Sequence, residues 1–153
     1  MTEKYFLSWR EQEKLTEKLV SKLDPREFNL IIGIARGGLV LAAILSDYLN
    51  LPMGIIAAES YPVGKLARDE NKIKISKVAT ISPLEGSLLL VDDLADTGKT
   101  LSGVERYLRS VEEVNRVQTA TLYKKPWSKF TPTYFVAETT KFIVFPTMKN
   151  EFK

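Results

Sequence analysis

Residues 88–101 have the sequence LLLVDDLADTGKTL, in which four apolar residues are followed by three aspartates within five positions. A short apolar run of this kind predicts a strand that is buried on both faces. The segment GKTLSGVERYLRSV, which begins inside the quoted stretch, carries Leu101, Val104, Leu108 and Val111 on one stripe and predicts an amphipathic helix. A buried strand followed directly by such a helix is the repeating unit of an α/β fold.

The same alternation continues in both directions along the chain. Further strands are predicted at 30–35, 53–61, 72–81 and 116–123, the third as an edge strand or a hairpin arm. A first helix is predicted after Ser8, where Glu11 completes a capping box, and a second ends at Asn50. This order favours the α/β class, with a mostly parallel, twisted sheet flanked by helices and joined by right-handed crossovers.

The chain has 153 residues, a length that predicts a single domain. The core of that domain is expected at about 25–123, where strands and helices alternate. The C-terminal segment 124–153 holds short strand candidates and three prolines, and it is expected to form a small hood over the sheet. The N-terminal segment is a second candidate contributor to this hood.

Composition narrows the chemistry that the chain can perform. The sequence contains no cysteine and no histidine, which excludes disulfides, thiolate metal sites and the commonest general base. A net charge of +3 fits an anionic ligand but is too small to indicate nucleic acid. No apolar run is long enough to span a membrane, and the charged N-terminus does not resemble a signal peptide, so a cytoplasmic location is expected.

The quoted stretch combines a phosphate-binding turn with an excess of acid. Thr97, Gly98, Lys99 and Thr100 can surround a phosphate with backbone N–H groups and hydroxyls at the start of a helix. The aspartates repel phosphate, so they need another partner, such as sugar hydroxyls, a divalent cation or a protonated ring nitrogen. Asp92 and Asp93 can share one ligand only if the strand bends at that point.

This stretch has two other interpretations. One aspartate could simply cap the following helix, although three acids within five positions exceed what a cap requires. A nucleotide-binding P-loop would need a glycine five positions before its Gly-Lys pair, and that position is Asp93. The phosphate turn is therefore not a P-loop.

The stretch LLLVDDLADTGKTL resembles the signature of the type I phosphoribosyltransferases, which bind 5-phosphoribosyl-1-pyrophosphate (PRPP). The resemblance implies that Asp92 and Asp93 bind the ribose hydroxyls and Mg²⁺. It also implies that a loop holds the 5-phosphate of PRPP, and the residues of that loop are Asp96, Thr97, Gly98, Lys99 and Thr100.

A second loop, IARGGL at 34–39, can present further donors to an anion. Arg36 offers a charged fork, and Gly37 and Gly38 expose backbone N–H groups at a helix start. The alternative is a plain strand-to-helix turn beside a surface arginine. The loop resembles the pyrophosphate loop of the purine phosphoribosyltransferases, and this resemblance implies a non-proline cis peptide at Ala35–Arg36.

The loop that follows the strand at 53–61 is polar and lacks an apolar period. It resembles the flexible lid of the same enzymes, which closes over pyrophosphate. By that resemblance the lid residues are Ser60, Tyr61, Lys65 and Arg68. A solvated surface loop is the alternative for the two cations.

Two segments of the tail resemble the base-binding parts of 6-oxopurine enzymes, in particular the short xanthine-guanine type. In YKKPW, the resemblance makes Lys125 the donor to the purine O6 atom. In TKFIVFP, it places Phe142 over the purine ring and the backbone of Ile143 at its edge, although Phe142 in an alternating strand could also be a core residue. Close relatives more often have Trp or Tyr at the stacking position, and no acidic residue closely follows the Phe-Pro pair.

The implied reaction joins a 6-oxopurine (hypoxanthine, guanine or xanthine) to PRPP and releases pyrophosphate. Since the chain lacks histidine, Asp96 is the candidate base that accepts the purine proton. An adenine-specific enzyme and a non-catalytic PRPP sensor are the alternatives. Trp9 and Trp127 are expected to be exposed, which favours a homo-oligomer, either a dimer or a tetramer.

Overall fold

The apolar run of the quoted stretch lies near the middle of a seven-stranded sheet in the computed structural model, which describes residues 2–60 and 73–152. The strands are β1 (Lys4–Phe6), β2 (Leu30–Ala35), β3 (Met53–Ser60), β4 (Ile73–Ile75), β5 (Gly86–Val91), β6 (Leu94–Ala95), β7 (Val114–Lys124), β8 (Tyr134–Glu138) and β9 (Phe142–Val144). The α-helices are α1 (Trp9–Val20), α2 (Leu39–Leu49) and α3 (Lys99–Arg109). Two 3-10 helices cover Pro25–Glu27 and Pro146–Phe152.

The main sheet is mostly parallel, as the sequence predicted. Its order is β4-β3-β2-β5-β7-β6, and β8 also pairs with β7. Among the described strands of this sheet, β4 alone runs antiparallel to its neighbour, and it confirms the predicted edge strand over part of 72–81. The carboxyl ends of β2, β3 and β5 therefore meet at one edge of the sheet, where open α/β sheets bind ligands.

Helices pack against both faces of the sheet, and β5 contributes to both interfaces. Leu89 and Val91 point into the cluster that contains α1 and α2, whereas Leu88 and Leu90 point into the cluster that contains α3. All four side chains are fully buried. This alternation is the reason that β5 is apolar at every position from Leu88 to Val91, because consecutive side chains face opposite layers.

The helix boundaries follow local signals in the sequence. At the start of α1, the Ser8 hydroxyl accepts from the Glu11 N–H and the Glu11 carboxylate accepts from the Ser8 N–H, which confirms the capping box. At the end of α2, Asn50 adopts a left-handed conformation with φ of 51°. α1 ends at Val20, and Asp24 caps the 3-10 helix that follows.

The C-terminal segment divides between two structures. β8 lies in the main sheet, parallel to β7. β9 pairs instead with β1 in a separate two-stranded parallel ribbon, in which Tyr5 lies opposite Ile143. The tail predicted as a hood therefore supplies an edge strand of the main sheet as well as half of the ribbon. Among the described residues, no helix has both the length and the apolar character needed to cross a membrane.

Candidate active site

A cavity of about 480 Å³ lies at the carboxyl edge of the sheet. The ends of β2, β3 and β5 line it, together with the first turn of α3 and the C-terminal 3-10 helix. The cavity brings together two segments that the sequence singled out separately, the loop with Arg36 and Gly37 and the turn with Asp92 and Asp93. These two segments are more than fifty residues apart in the chain, so the parallel sheet is what joins them.

The chain bends at the acidic turn. β5 ends at Val91, the bend occurs at Asp93, and the short strand β6 resumes pairing with β7. The Asp93 N–H donates to Asp92 Oδ1 over 2.8 Å, and the Asp93 carbonyl accepts from the Leu122 N–H over 3.0 Å. Because of this bend, both carboxylates face one cavity, which is the condition for sharing a ligand. Neither aspartate caps α3, since the N-cap residue of that helix is Gly98.

The acidic pair is electrostatically costly in the absence of a ligand. Burial and the neighbouring Asp93 charge raise the pKa of Asp92 well above its ordinary value, and burial also raises the pKa of Asp93. Among the described residues, no ion pair joins either carboxylate to a lysine or an arginine. A bound cation or a hydrogen-bond donor would therefore be favoured here.

Two helices begin beside the cavity without a side-chain cap. The N-cap residues of α2 and α3 are Gly38 and Gly98, neither provides a capping hydrogen bond, and no acidic residue occupies either first turn. At the start of α2 the Leu39 N–H donates to the Arg36 carbonyl over 3.2 Å, so the backbone N–H groups that follow Leu39 in α2 and Lys99 in α3 are the ones available to an anion, whose charge the helix dipole also favours. Thr97 Oγ1 accepts from the Lys99 N–H over 3.3 Å, which orders the turn before α3.

The glycine pair after β2 allows a close approach that other residues would block. A Cβ on Gly37 would lie 2.5 Å from Asp93 Oδ2, and a Cβ on Gly38 would lie 2.4 Å from the Val91 carbonyl oxygen. The pair therefore does more than form a turn, because it lets this loop pack directly against the acidic turn. The peptide bond Ala35–Arg36 is cis, as the resemblance implied.

Asp96 does not line the cavity with Asp92 and Asp93 but belongs to a neighbouring cluster. Its Oδ1 accepts a hydrogen bond of 2.9 Å from Trp127 Nε1, and the Lys125 Nζ lies 5.3 Å from the centre of the Trp127 ring. Lys125 is only 4% exposed, and its ammonium donates to the Lys141 carbonyl. Burial lowers the pKa of Lys125, whereas the nearby negative charge of Asp96 raises it.

The predicted base-binding residues of the tail lie on the ribbon strand β9. Phe142 is 40% exposed, so its ring is not enclosed in the core. Ile143 is buried in the core cluster next to α1 and α2, which leaves only its backbone for a ligand. The Lys141 carbonyl, which accepts from Lys125, immediately precedes Phe142, and this hydrogen bond links the two tail segments.

Most of the predicted lid lies outside the described residues, and three residues near the site have roles that the sequence does not indicate. Tyr61, Lys65 and Arg68 of the predicted lid lie outside the described residues; the backbone of Ser60 ends β3, and its side chain is likewise outside the description. Thr147 and Met148 also line the cavity, and no motif in the sequence indicates them. Trp127 is 53% exposed, as its sequence position predicts, and its hydrogen bond to Asp96 has no signal in the sequence.

Comparisons with known proteins give the same assignment as the geometry. A family model for the phosphoribosyl transferase domain matches residues 7–149. A xanthine-guanine phosphoribosyltransferase of Idiomarina loihiensis is 36% identical over 124 residues, which cover 80% of this chain and 71% of that protein. The crystal structure of a purine phosphoribosyltransferase from Pyrococcus horikoshii has a TM-score of 0.81 at 33% identity, covering 95% of this chain and 93% of that chain.

A xanthine-guanine-hypoxanthine phosphoribosyltransferase of Helicobacter pylori has a TM-score of 0.80 and covers 97% of both chains, and at 24% identity it supports the fold alone. The family match at 7–149 includes the glycine loop, the acidic turn and the tail segments that carry Lys125 and Phe142. The resemblance inferred from LLLVDDLADTGKTL is thereby confirmed. The chain belongs to the phosphoribosyltransferase family.

Proposed function

We propose that this protein transfers the 5-phosphoribosyl group of PRPP to a 6-oxopurine, giving the nucleoside monophosphate and pyrophosphate. The observation that carries the proposal is the shared cavity of about 480 Å³, which Asp92, Asp93 and the loop with Arg36 line together. PRPP has anionic groups at both ends of a sugar that bears two hydroxyls. A cavity with donors on two sides and carboxylates between them is complementary to that pattern.

Each end of PRPP has its own set of donors in this proposal. Arg36 and the backbone N–H group of Gly37 bind the pyrophosphate, while Gly38, whose N–H donates to the Ile34 carbonyl over 2.8 Å, lets the loop pack closely against the acidic turn. The loop from Asp96 to Thr100 binds the 5-phosphate, with Thr97, Gly98, Lys99 and Thr100 supplying backbone and side-chain donors. The uncapped starts of α2 and α3 support this division, because helix N-termini attract phosphate.

We also propose that the acidic pair binds Mg²⁺ together with PRPP. Asp92 and Asp93 both line the cavity, and burial raises the pKa of each carboxyl group, so a bound cation would stabilise the ionised pair. The described residues contain no group of three or more acidic side chains suited to a metal. Mg²⁺ is commonly held by one or two carboxylates and substrate phosphates, so the pair fits that ion. When bound, the ion would neutralise charge on the departing pyrophosphate.

The purine lies, in this proposal, between the two tail segments and Asp96. Asp96 accepts the proton of the purine five-membered ring, while Lys125, which has three N–H donors, reaches the O6 atom with one that the Lys141 carbonyl does not use. Phe142 stacks on the ring, and the backbone of Ile143 contacts its edge. Ser60, Tyr61, Lys65 and Arg68 are proposed as the lid that excludes water during transfer.

The choice of a 6-oxopurine rests on Lys125 and on the named relatives. A buried ammonium near the purine site favours an oxygen acceptor over the amino group of adenine. The 36% identical relative is a xanthine-guanine phosphoribosyltransferase, and the structure at 33% identity is a purine phosphoribosyltransferase. Neither the adenine-specific enzyme nor the PRPP sensor has a comparable supporting feature in this chain.

Assembly and location complete the proposal. We propose a cytoplasmic homo-oligomer, either a dimer or a tetramer, that acts on PRPP and a purine without nucleic acid or a membrane. Trp9 and Tyr48 are 53% and 52% exposed and line one groove between α1 and α2, which supports association through this face. Each chain is proposed to act as one domain.

Nucleotide formation from PRPP with four separate bases tests the proposed function. We expect hypoxanthine, guanine and xanthine to react, because Lys125 favours an O6 acceptor. Each of these reactions should release one pyrophosphate for every nucleoside monophosphate formed. Adenine should give little product. Chromatography of the nucleotides measures all four reactions. Product from adenine alone would indicate the adenine enzyme, and no product from any base would favour the sensor.

The substitution Asp96→Asn tests the base that accepts the purine proton. We expect kcat to fall about 100-fold, the lower end of the usual contribution of general base catalysis, while the KM for PRPP changes little. The exposed Asp47 on α2 provides the matched control, since Asp47→Asn should leave both constants unchanged. Unchanged turnover in Asp96→Asn would remove Asp96 from this role.

The substitution Asp92→Asn tests the charge balance of the acidic pair. In a buffer without divalent cations at neutral pH, we expect the melting temperature to rise by about 2–4 °C, which corresponds to about 1 kcal/mol in a domain of this size. The ionised Asp92 carboxyl destabilises the fold because its pKa is raised, so the gain should shrink as the pH falls toward that pKa.

Thermal unfolding with and without Mg²⁺ completes this test. Mg²⁺ should raise the melting temperature of the wild-type protein more than that of Asp92→Asn. Asp47→Asn again serves as the control at an exposed site. A lower melting temperature of Asp92→Asn in the cation-free buffer would show that the carboxylate is stabilised by the protein itself, contrary to this account.

A further inference from the structure

We infer that Trp127 is a positioning residue for the reaction, and that its indole N–H fixes Asp96 in the orientation needed to accept the purine proton. The inference rests on the proposed function. The Trp127 Nε1 atom lies 2.9 Å from Asp96 Oδ1, which is the distance of a good N–H···O hydrogen bond to a carboxylate. Thirty-one residues separate the two side chains in the sequence, so tertiary structure alone brings them together.

The hydrogen bond from Trp127 occupies one of the two carboxylate oxygens of Asp96. Indole has a single N–H donor, which goes to Oδ1. In the part of the chain that the structure describes, Oδ2 accepts no side-chain hydrogen bond. Asp96 is exposed and lies on a turn, where an untethered carboxylate would sample several rotamers. The Trp127 N–H therefore selects one rotamer and leaves Oδ2 for the purine.

The backbone around Trp127 is fixed to both neighbours of Asp96. The Lys125 N–H donates to the Ala95 carbonyl over 2.8 Å, and the Lys129 N–H donates to the Thr97 carbonyl over 3.2 Å. These two bonds hold the tail segment beside the acidic turn on either side of Asp96. The position of the Trp127 side chain is therefore set by the fold as well as by its own hydrogen bond.

The Trp127 ring also contacts the second group proposed to bind the base. The Lys125 ammonium lies 5.3 Å from the ring centre, within the range of a cation–π interaction. One indole thus interacts with the acceptor for the purine proton through its edge and with the donor to O6 through its face. This arrangement preorganises both groups before the purine binds, and preorganisation of this kind acts on the rate.

The substitution Trp127→Phe removes the N–H donor and keeps an aromatic ring. We expect kcat with the preferred purine to fall about tenfold, which is 1.4 kcal/mol of transition-state stabilisation, while the KM for PRPP stays within about twofold. Tyr107→Phe is the matched control, because it also removes one polar group from an exposed aromatic side chain, and Tyr107 lies on α3, outside the purine-site residues and the proposed association face. Its kcat should equal that of the wild-type protein.

A double-mutant cycle distinguishes positioning from a general structural effect. If Trp127 acts through Asp96, Trp127→Phe should have almost no effect on kcat when Asp96→Asn is already present. Equal losses in the two backgrounds would overturn the inference, as would an unchanged kcat in the single variant. Melting temperatures of all variants identify any that fail to fold.

Fluorescence supplies a readout that does not depend on turnover. The chain has two tryptophans, so Trp127 is the sole emitter in a Trp9→Phe background. There, Asp96→Ala should shift the emission maximum, because alanine has no oxygen that can accept the indole N–H. An unchanged spectrum would contradict the contact itself. If the wild-type protein made no nucleotide from any purine, the proposed function and this role would both fail, and the spectrum would still report whether the contact exists.

Discussion

The burial of two adjacent carboxyl groups, Asp92 and Asp93, is the constraint around which the site is organised. The bend after β5 turns both carboxylates into one cavity, where burial and their mutual charge raise the pKa of Asp92. No residue of the described chain neutralises them through an ion pair. A fold keeps such an unfavourable pair when a ligand relieves it, and perturbed carboxyl groups in a cavity are typical of functional sites.

The N-termini of the three helices differ in whether a side chain caps them. α1 lies away from the cavity and starts with a complete capping box from Ser8 and Glu11. α2 and α3 both start at a glycine without a side-chain cap, beside the acidic turn. The two uncapped ends provide donors for anionic groups, while the acidic pair between them repels those groups and favours hydroxyls or a cation. The site thus provides separate positions for the anionic groups of a ligand, at the two helix ends, and for its hydroxyls or a cation, at the acidic pair.

Local patterns in the sequence predicted the main layers and most of the site. The apolar runs identified the central strands, and the residues of the glycine loop and the acidic turn indicated anion binding, because their types constrain the backbone locally. Short strands are harder to predict from sequence. β1 and β9 have three residues each, which is too few for an alternating pattern to be recognised. The sequence of β8 does not indicate that this strand joins the main sheet. The contact between Trp127 and Asp96 depends on how β6 and β7 pair, which no local pattern encodes.

The central claim is that the acidic pair and the two helix ends bind one PRPP molecule with the help of Mg²⁺. Titration calorimetry of PRPP into the wild-type protein, with Mg²⁺ and with a chelator, measures this directly. The account predicts one binding site per chain and an affinity that falls at least about tenfold, or 1.4 kcal/mol, when Mg²⁺ is removed. Equal affinity in the two buffers, or no binding of PRPP in either, would contradict it.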